Sequence, residues 1–546
     1  MTLDTSVSDS SPRHGPDPPR PRSSGVAVGR VLPFVAIAAL SLSGPALLIA
    51  TSTHGVHATP DSFTYIGAAS NLANGKGWTY PFGVPGAAVT LFPPLYPLLL
   101  SGGYLLGVNE LAWALWLNAA MFGSLLAIAG LGVYRSTDGS LVAAIAAIAF
   151  AALGVPPLLA YSSVLSESVF YPAELLALFL FAEFLRMRRT RLLVLAGIAT
   201  SVSMLTRYAG LSLFLTACGL LALWPGRRVV ERIRLLAIYA ATSLALNLAW
   251  SIRNIAAADT LTGDKNLTHG LTLSDVADGL RVISAWFFTR PFPGPVGLEL
   301  VMTVSLAVAV GVPIVTAAAR GRAGRVRVPP TAAVLLVFPF VHFLFLAAAN
   351  LFSPRTPPLN DRMLGPAYLS LALGVLLVGH AVWTGSLPGR LAVRAVLAAG
   401  LIAALVIVGV GADTYIGSEV SRDEQSADEL VALGEMLRPI VGRYPGAAVY
   451  GNTANATWAA TGSPVLQLPR PCSGHDRIPS PTYESELVAL GDRLRGVPAI
   501  VVVFTGTRSA GFGTRACPNF SLTEVESTLR LVETHSFPGI VVLGGT

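Results

Sequence analysis

The chain has 546 residues, of which 53% are hydrophobic and 12% are charged, and its formal net charge is +7. Because soluble domains carry about 25% charged residues, this composition excludes an ordinary soluble globular protein. The high hydrophobic content also excludes disorder over most of the length. Apolar stretches of about 20 residues recur along the chain, which is the length of a helix that crosses a bilayer. The sequence therefore predicts an α-helical polytopic membrane protein.

The chain begins with a polar tail over 1–30 that is rich in Pro and Ser, and this tail is predicted to be disordered and cytoplasmic. The apolar run from Val31 to Ala50 follows, and its length favours a retained first span over a cleaved signal peptide. Ten further spans are predicted from apolar runs near 112–134, 141–161, 165–185, 192–206, 210–225, 235–252, 298–318, 330–351, 366–383 and 395–412.

Arginine clusters predict the orientation of these eleven spans. The clusters, such as RMRRTR over 186–191, alternate with the spans in a way that lets every cluster face the cytoplasm. The N-terminus is then predicted inside and the C-terminus outside the plasma membrane. The apolar stretch from Leu91 to Leu106 contains FPPLYP, and counting it as a span would reverse all later loops. It is therefore predicted to lie at the outer interface or to re-enter the membrane.

A long first outer loop, about 52–111, opens with a predicted helix. Thr59 is suited to be its N-cap and Pro60 its first residue, and Asn74 ends it. Its apolar residues fall on one side, which indicates an amphipathic helix lying on the membrane. Asp61 then lies in the first turn at the bilayer surface. It is either a carboxylate that interacts favourably with the helix dipole or a general base in a site open to lipid and water.

Three arginines run against the positive-inside bias, because they lie on the predicted outer side: Arg207 in LTRYAG, Arg253 in WSIRNIAA and Arg362 in NDRMLGP. Each could simply extend its side chain to the interface. Guanidinium groups also bind phosphate through two parallel hydrogen bonds, so the three together predict a pocket for a lipid-linked phosphate. Glu167, at the start of another span, is either a simple interfacial carboxylate or a group that orients the acceptor or pairs with one of these arginines.

The region 413–546 differs in composition and is predicted to be an extracytoplasmic α/β domain with a parallel sheet. Helices are predicted over 422–443, 484–495 and 522–534, with a short one between the first two strands, and strands over 447–451, 464–468, 499–504 and 539–543. Cys472 and Cys517 both lie in this region, where a disulfide is permitted, and they are predicted to pair.

Signatures of other chemistries are missing from the sequence. It contains no GxxxxGK[ST] motif, and no GxGxxG between a predicted strand and a cytoplasmic helix, so an ATP-driven or nucleotide-sugar mechanism has no visible site. No cluster of His and Cys predicts a metal centre, and no cofactor is assigned, although a divalent metal stays open. Cytoplasmic loops account for the net positive charge, so no nucleic-acid partner is predicted.

The order of these motifs resembles that of the GT-C superfamily of membrane glycosyltransferases. The resemblance covers about residues 31–412 and rests on the acid after the first span, PPLY over 93–96, SES over 166–168, LTRY over 205–208, RN at 253–254 and DRMLGP over 361–366. The most similar branch contains protein mannosyltransferases that use polyprenyl- or dolichyl-phosphate mannose, and the aminoarabinose lipid transferases. Bacterial members often end in an outer soluble domain.

The resemblance implies transfer of a single sugar from a polyprenyl-phosphate carrier to an acceptor on the outer face, with inversion. The acceptor would be a protein, a lipid or a cell-wall glycan, and the lipid bilayer would be a further partner. Asp61 matches the acid of the family's first loop, which takes the proton of the acceptor hydroxyl. Arg207, Arg253 and Arg362 match basic positions near the carrier phosphate, and Glu167 and Tyr65 are further candidate binding residues.

Two positions depart from the pattern of this family. Ser62 follows Asp61 where relatives often have a second acid, which weakens the case for a bound metal. Phe92 stands where relatives often have a lysine before the two prolines, so phosphate binding would fall more heavily on the arginines or on Lys76.

Three other functions are compatible with parts of this pattern. A transporter or flippase of lipid-linked sugars typically has internal repeats and charges near the bilayer midplane, and the sequence shows no such repeat. A scaffold that only displays the C-terminal domain would not need eleven spans. A polymerase or ligase of lipid-linked glycans has a similar architecture, and the sequence does not separate it from a single-sugar transferase.

Overall fold

The structure is a computed structural model that describes residues 25–52, 55–263, 273–286, 328–351, 359–385, 390–473, 478–505, 521–537 and 540–545. Within these ranges the chain is mostly helical, with a small β-sheet in the C-terminal region. Seven of the described helices are long and apolar enough to cross a membrane, and one bent pair raises this number to eight. The predicted polytopic helical fold with a C-terminal α/β region is thereby confirmed.

The described helices, in chain order, are α1 (Gly25–Ser41), α2 (Ser43–Thr51), α3 (Pro60–Ala73), α4 (Leu95–Leu105), α5 (Glu110–Ser136), α6 (Leu141–Leu153), α7 (Val155–Tyr161), α8 (Glu167–Met187), α9 (Thr190–Thr206), α10 (Leu211–Ala222), α11 (Val229–Ala258), α12 (Leu273–Ala285), α13 (Pro330–Leu351), α14 (Asp361–Thr384), α15 (Arg390–Arg443), α16 (Ala454–Thr461), α17 (Tyr483–Arg493) and α18 (Leu522–Leu529). The strands are β1 (Phe82–Gly83), β2 (Ala448–Gly451), β3 (Val465–Gln467), β4 (Cys472–Ser473), β5 (Ile478–Pro479), β6 (Ala499–Phe504), β7 (Val532–Phe537) and β8 (Ile540–Gly545).

The membrane helices follow the predicted spans, with several differences. The predicted spans 192–206 and 210–225 are helical, but α9 and α10 are shorter than the helices that pass as candidate spans. The predicted span 298–318 lies outside the described residues. The predicted tail over 1–30 is already helical from Gly25 onwards. The count of eleven spans therefore stays a prediction.

The predicted span 141–161 is a helix pair, α6 and α7, bent by 57°. Gly154 lies at the bend in an extended conformation, and Pro156 follows in the first turn of α7, so the hydrogen-bond ladder of one helix cannot continue into the next. A side chain at Gly154 would collide with Tyr368 of α14, so glycine also permits close packing there. The bend aims the loop between α7 and α8 toward the start of α3, where His57 and Ser163 form a bridge.

The first loop, residues 52–109, contains α3, β1 and α4. α4 has 11 residues, too few for a span, which agrees with the prediction that Leu91 to Leu106 does not cross the membrane. α3 begins and ends as predicted, with Thr59 as its N-cap and Asn74 as its C-cap. The prediction of an amphipathic surface helix was wrong in one respect, since α3 is buried on all sides over Ser62–Ala69 because other parts of the chain pack around it.

The sheet joins the first loop to the C-terminal region. Its strand order is β1-β3-β2-β6-β8-β7, and β1 comes from the first loop. Strands β3, β2 and β6 are parallel as predicted, and β1, which was not predicted, joins them in parallel. The prediction of a parallel sheet was wrong for β8, which runs antiparallel to both β6 and β7. The predicted helix over 522–534 begins at Leu522 as predicted but is too long, because α18 ends at Leu529 with Arg530 in a left-handed conformation and Val532–Phe537 forms β7.

The longest element, α15, is continuous over 54 residues from Arg390 to Arg443. At 1.5 Å per residue this is a rod of roughly 80 Å, much longer than a bilayer core. The predicted boundary between the membrane domain and the region 413–546 falls inside this helix. The C-terminal region is thus attached through an unbroken helix rather than through a loop.

Candidate active site

Four charged side chains from four separate segments meet at one place in the fold. They are Asp61 of α3, Glu167 of α8, Arg207 directly after α9 and Arg362 of α14, and we call them the charged cluster. Each lies in the first turn or at the end of its helix. Helix ends on the same side of a bundle lie at one edge of it, so residues that are far apart in sequence can converge there.

Local sequence fixes the helix ends that carry Asp61 and Arg362. Thr59 and Ser62 form a capping box at the start of α3, each side chain bonding the backbone of the other. Asn360 caps α14, since its side-chain oxygen accepts from the Met363 amide at 3.0 Å. These caps satisfy backbone N–H groups that would otherwise lack partners, and they set the direction in which Asp61 and Arg362 leave the backbone.

Glu167 is the centre of the charged cluster. Its Oε1 forms an ion pair with Arg207 Nη1 at 2.5 Å and accepts a hydrogen bond from Arg362 Nε, and its side chain is 1% exposed. Arg362 Nη1 also donates to Asp61 Oδ2 at 2.5 Å. Asp61 is the most exposed member, at 36% of its side chain. The cluster therefore has a buried anionic centre, two guanidinium groups around it, and an accessible carboxylate at its rim.

Two hydroxyl groups extend the network toward α3. Ser166 Oγ donates to Glu167 Oε2 at 3.3 Å and lies 3.1 Å from the Tyr65 hydroxyl. Burial raises the pKa of the Tyr65 phenol, and the nearby Asp61 carboxylate raises it further. Tyr65 is therefore a neutral hydrogen-bond donor in this network and is unsuited to act as a base.

A cavity of about 380 Å³ adjoins the charged cluster. Arg362 lines it together with its neighbours Asn360 and Asp361, with His57 and Thr59 before α3, and with Tyr415 of α15. Asp361 is held in place by Trp286, whose Nε1 donates to Asp361 Oδ1 at 2.9 Å. The charged cluster thus has a space beside it in which a small molecule fits.

The structure also places residues that sequence reasoning did not single out. His342 of α13 is fully buried, with Nδ1 2.9 Å from Ser212 Oγ and Nε2 3.0 Å from the Met363 carbonyl oxygen. It fastens the first turn of α14, which carries Arg362, to α10 and α13. A lone histidine in an apolar span was the available signal, since a polar group there needs hydrogen-bond partners.

Two predicted binding residues do not join the charged cluster. Arg253 donates to the carbonyl oxygens of Val89 and Trp78 at 2.8 and 2.9 Å, so it holds the first loop against α11. Lys76 is exposed and lies beyond the end of α3, which puts it about 20 Å along the helix direction from Asp61. Tyr65, Glu167, Arg207 and Arg362 are the predicted binding residues that the fold brings together around Asp61.

The predicted disulfide falls partly outside the described residues. Cys472 is buried in β4 and takes part in a disulfide, whereas Cys517 lies outside the described ranges, so the pairing stays a prediction. Cys218 is a free thiol in α10. Among the residues that the structure describes, no three of His, Cys, Asp or Glu are grouped so as to hold a metal ion.

Solved membrane proteins share this architecture. ArnT from Cupriavidus metallidurans in its apo state aligns over 95% of this chain and 98% of its own, with a TM-score of 0.55 and 13% identity. The same protein bound to undecaprenyl phosphate aligns over the same shares, with a TM-score of 0.51 and 14% identity. The arabinofuranosyltransferase AftD from Mycobacteria aligns over 94% of this chain and 40% of its own, with a TM-score of 0.56 and 16% identity.

No family model and no curated protein matches the sequence. At identities of 13–16% the likeness to these structures establishes the fold.

Proposed function

We propose that this chain, which has the fold of the GT-C superfamily of membrane glycosyltransferases, transfers a single sugar from a polyprenyl-phosphate carrier to an acceptor hydroxyl. The transfer takes place at the outer face of the plasma membrane and inverts the anomeric carbon. The observation that carries the proposal is the contact between Asp61 and Arg362, because it sets an accessible carboxylate beside a cation at one site.

Asp61 is the general base of this reaction. The acceptor oxygen forms a bond to the anomeric carbon, and its proton goes to the Asp61 carboxylate. The bond between the anomeric carbon and the phosphate oxygen breaks, and its electron pair leaves with the carrier phosphate. Attack from the face opposite the leaving phosphate gives inversion. The 36% exposure of the Asp61 side chain supports this role, since the base must reach an acceptor hydroxyl.

Arg207 and Arg362 stabilise the charge that develops on the departing phosphate. A guanidinium group has five N–H donors, and Arg362 bonds the two carboxylates through Nε and Nη1, so its third nitrogen takes part in neither bond. Fixed cations aimed at a developing anion lower the barrier to transfer. Glu167 is a positioning residue, because it is buried between the two guanidinium groups and holds their spacing.

The experiment compares Asp61→Asn with the wild type in nanodiscs, using a set of undecaprenyl-phosphate sugars as donors. Loss of a general base costs about 10²- to 10⁴-fold in rate, so we expect turnover to fall by that order while carrier binding persists. Glu110→Gln is the matched control, since Glu110 also lies in the first turn of a helix at the end of the same loop.

Wild-type turnover in Asp61→Asn, with carrier still bound, would show that another group is the base. Failure of the wild-type protein to bind any undecaprenyl-phosphate sugar would remove the proposed function as a whole.

A further inference from the structure

The cavity beside the charged cluster is formed by four separate parts of the chain. His57 and Thr59 come from the segment before α3, and Leu159, Ser163 and Leu165 come from α7 and the loop that follows it. Asn360 to Arg362 come from the start of α14, and Tyr415 comes from α15. Its volume of about 380 Å³ lies within the range of roughly 300–1,000 Å³ that small-molecule pockets occupy. It is a formed pocket in the described part of the chain.

The charges at this cavity disfavour an anionic ligand. Its lining contains one formal positive charge, on Arg362, and one formal negative charge, on Asp361. Arg362 binds the carboxylates of Asp61 and Glu167, and in the proposed function its remaining donors serve the carrier phosphate. A phosphorylated or carboxylated acceptor would meet the Asp361 carboxylate, and no second arginine or lysine among the described residues lines the cavity to offset the repulsion.

The hydrogen-bonding groups at the cavity match hydroxyl groups instead. A carboxylate, an amide, an imidazole, a phenol and two aliphatic hydroxyls line it, and Leu159 and Leu165 add apolar surface. Trp286 fixes the Asp361 carboxylate through Oδ1. Sugar rings combine hydroxyl groups with apolar C–H faces, and a pocket of mixed polar and apolar lining with a few fixed polar groups is suited to them.

We propose that this cavity binds an uncharged sugar ring of a glycan acceptor and presents one of its hydroxyls to Asp61. The proposal rests on the transferase function proposed above and narrows its acceptor to a neutral glycan. Two residues connect the cavity to the base, because Arg362 lines the cavity and contacts Asp61, and Thr59 lines it and caps the helix that carries Asp61. The chemical step is the one already given, with the proton going to Asp61.

The test changes the cavity and leaves the charged cluster intact. Leu159→Trp fills the cavity, Leu159→Met is the matched control of conserved volume, and Asp361→Asn removes the charge of one lining residue while keeping an oxygen for Trp286. The full chain in nanodiscs is given α-mannotriose, arabinotriose and chitotriose as neutral probes. Mannotriose 6-phosphate and a serine-rich peptide are the contrasting probes, and undecaprenyl-phosphate binding is measured in parallel.

We expect at least one neutral trisaccharide to bind the wild type and Leu159→Met. Its affinity for Leu159→Trp should be at least about tenfold lower. Asp361→Asn should also lower the affinity for the trisaccharide by about tenfold, since hydrogen bonds to a charged group are stronger than those to a neutral one. Undecaprenyl-phosphate binding should be unchanged in all three variants.

Three results would overturn the acceptor assignment: no neutral trisaccharide binds, Leu159→Trp and Leu159→Met bind it equally well, or the phosphorylated probe or the peptide binds more tightly. Because carrier binding is measured separately, these results are distinguishable from failure of the proposed function, in which the carrier itself does not bind.

Discussion

Glu167 shows how one buried side chain organises the charged cluster. Its carboxylate is almost fully shielded from solvent, and it forms ion pairs with both Arg207 and Arg362. Removing one partner of a buried ion pair leaves the other charge uncompensated, which typically costs about 3–5 kcal/mol. The two arginines are less buried than Glu167, since 13% of the Arg207 side chain and 22% of the Arg362 side chain are exposed. Glu167 therefore holds two cations close together that would otherwise repel each other.

Glu167→Gln is expected to lower the thermal midpoint of the purified protein, because Arg207 and Arg362 lose their shared counter-ion. It should also increase the stabilisation that undecaprenyl phosphate provides, since a phosphate can replace the missing negative charge. Thermal unfolding with and without the carrier measures both effects.

Glu183→Gln is the matched control, since Glu183 also lies in α8 but pairs with Arg186 at an exposed position. Surface pairs contribute at most about 1 kcal/mol, so this variant should resemble the wild type. A Glu167→Gln variant as stable as Glu183→Gln would contradict the structural role given to Glu167.

Residue chemistry explains which parts of this site the sequence could predict. Asp61 was predictable because Thr59 and Pro60 mark a helix start directly before it. The charges of Arg207 and Arg362 were visible as exceptions to the positive-inside bias. Pairing of Glu167 with one of these arginines was one of the alternatives left open, but the sequence could not show that Glu167 binds both, because the contact between Glu167 and Arg362 joins residues 195 positions apart. Arg253 has the same sequence signal but bonds to loop carbonyls, which only the packing of the first loop decides.

At the scale of the element, α3 combines a strong local signal at its start with burial of its middle part, Ser62–Ala69. The capping box fixes its first turn, and the Ser62 hydroxyl also donates to the Val164 carbonyl oxygen at 2.8 Å. Gly67 lets the segment before β1 approach closely, because a Cβ there would lie 2.7 Å from Pro81. The position of Asp61 therefore depends on both the cap of α3 and the packing around it.

Thr59→Ala is expected to destabilise the protein by about 1 kcal/mol, the usual cost of losing an N-cap side chain. Turnover should fall by more than this loss of stability explains, because the first turn that carries Asp61 becomes less well fixed. Chemical denaturation and turnover with a saturating donor measure the two quantities.

Ser521→Ala removes an equivalent cap, since Ser521 Oγ accepts from the Glu524 amide at the start of α18. This control should lose similar stability and keep wild-type turnover. Equal turnover in the two variants would show that the cap of α3 does not position Asp61.

The strands show where local signals mislead. β1 has two residues, too few for any alternating pattern, and it exists only because β3 offers it a partner. The segment over 522–534 reads as one amphipathic helix, yet a left-handed Arg530 divides it into α18 and β7. Strand pairing depends on neighbours distant in sequence, whereas a cap such as Thr59 acts within one turn.

At the scale of the whole molecule, the first loop and the C-terminal region are built into each other. β1 pairs with β3, α16 packs on α3, and the rings of Phe82 and Trp458 lie 5.6 Å apart. Because α3 carries Asp61, the C-terminal region contacts the element that carries the candidate base.

Trp458→Ala is expected to reduce turnover by roughly tenfold or more, since small displacements of a catalytic group have large effects on rate. Carrier binding should persist, because Arg207 and Arg362 belong to other segments. Tyr444→Ala removes an exposed aromatic side chain from the same region and should leave turnover unchanged. If the two variants turn over equally, the C-terminal region does not support α3.

The pairing of β1 with β3 has a consequence for any attempt to dissect the chain. A deletion that starts after Arg443 removes β3 as well as the rest of the C-terminal region, and it leaves Phe82 and Gly83 with an unsatisfied edge. An inactive truncation can therefore result from damage to the first loop, which carries the candidate base, rather than from loss of a substrate-recognition module. Point substitutions in α16 leave the pairing of β1 with β3 in place, so they test the role of the C-terminal region more directly than a deletion does.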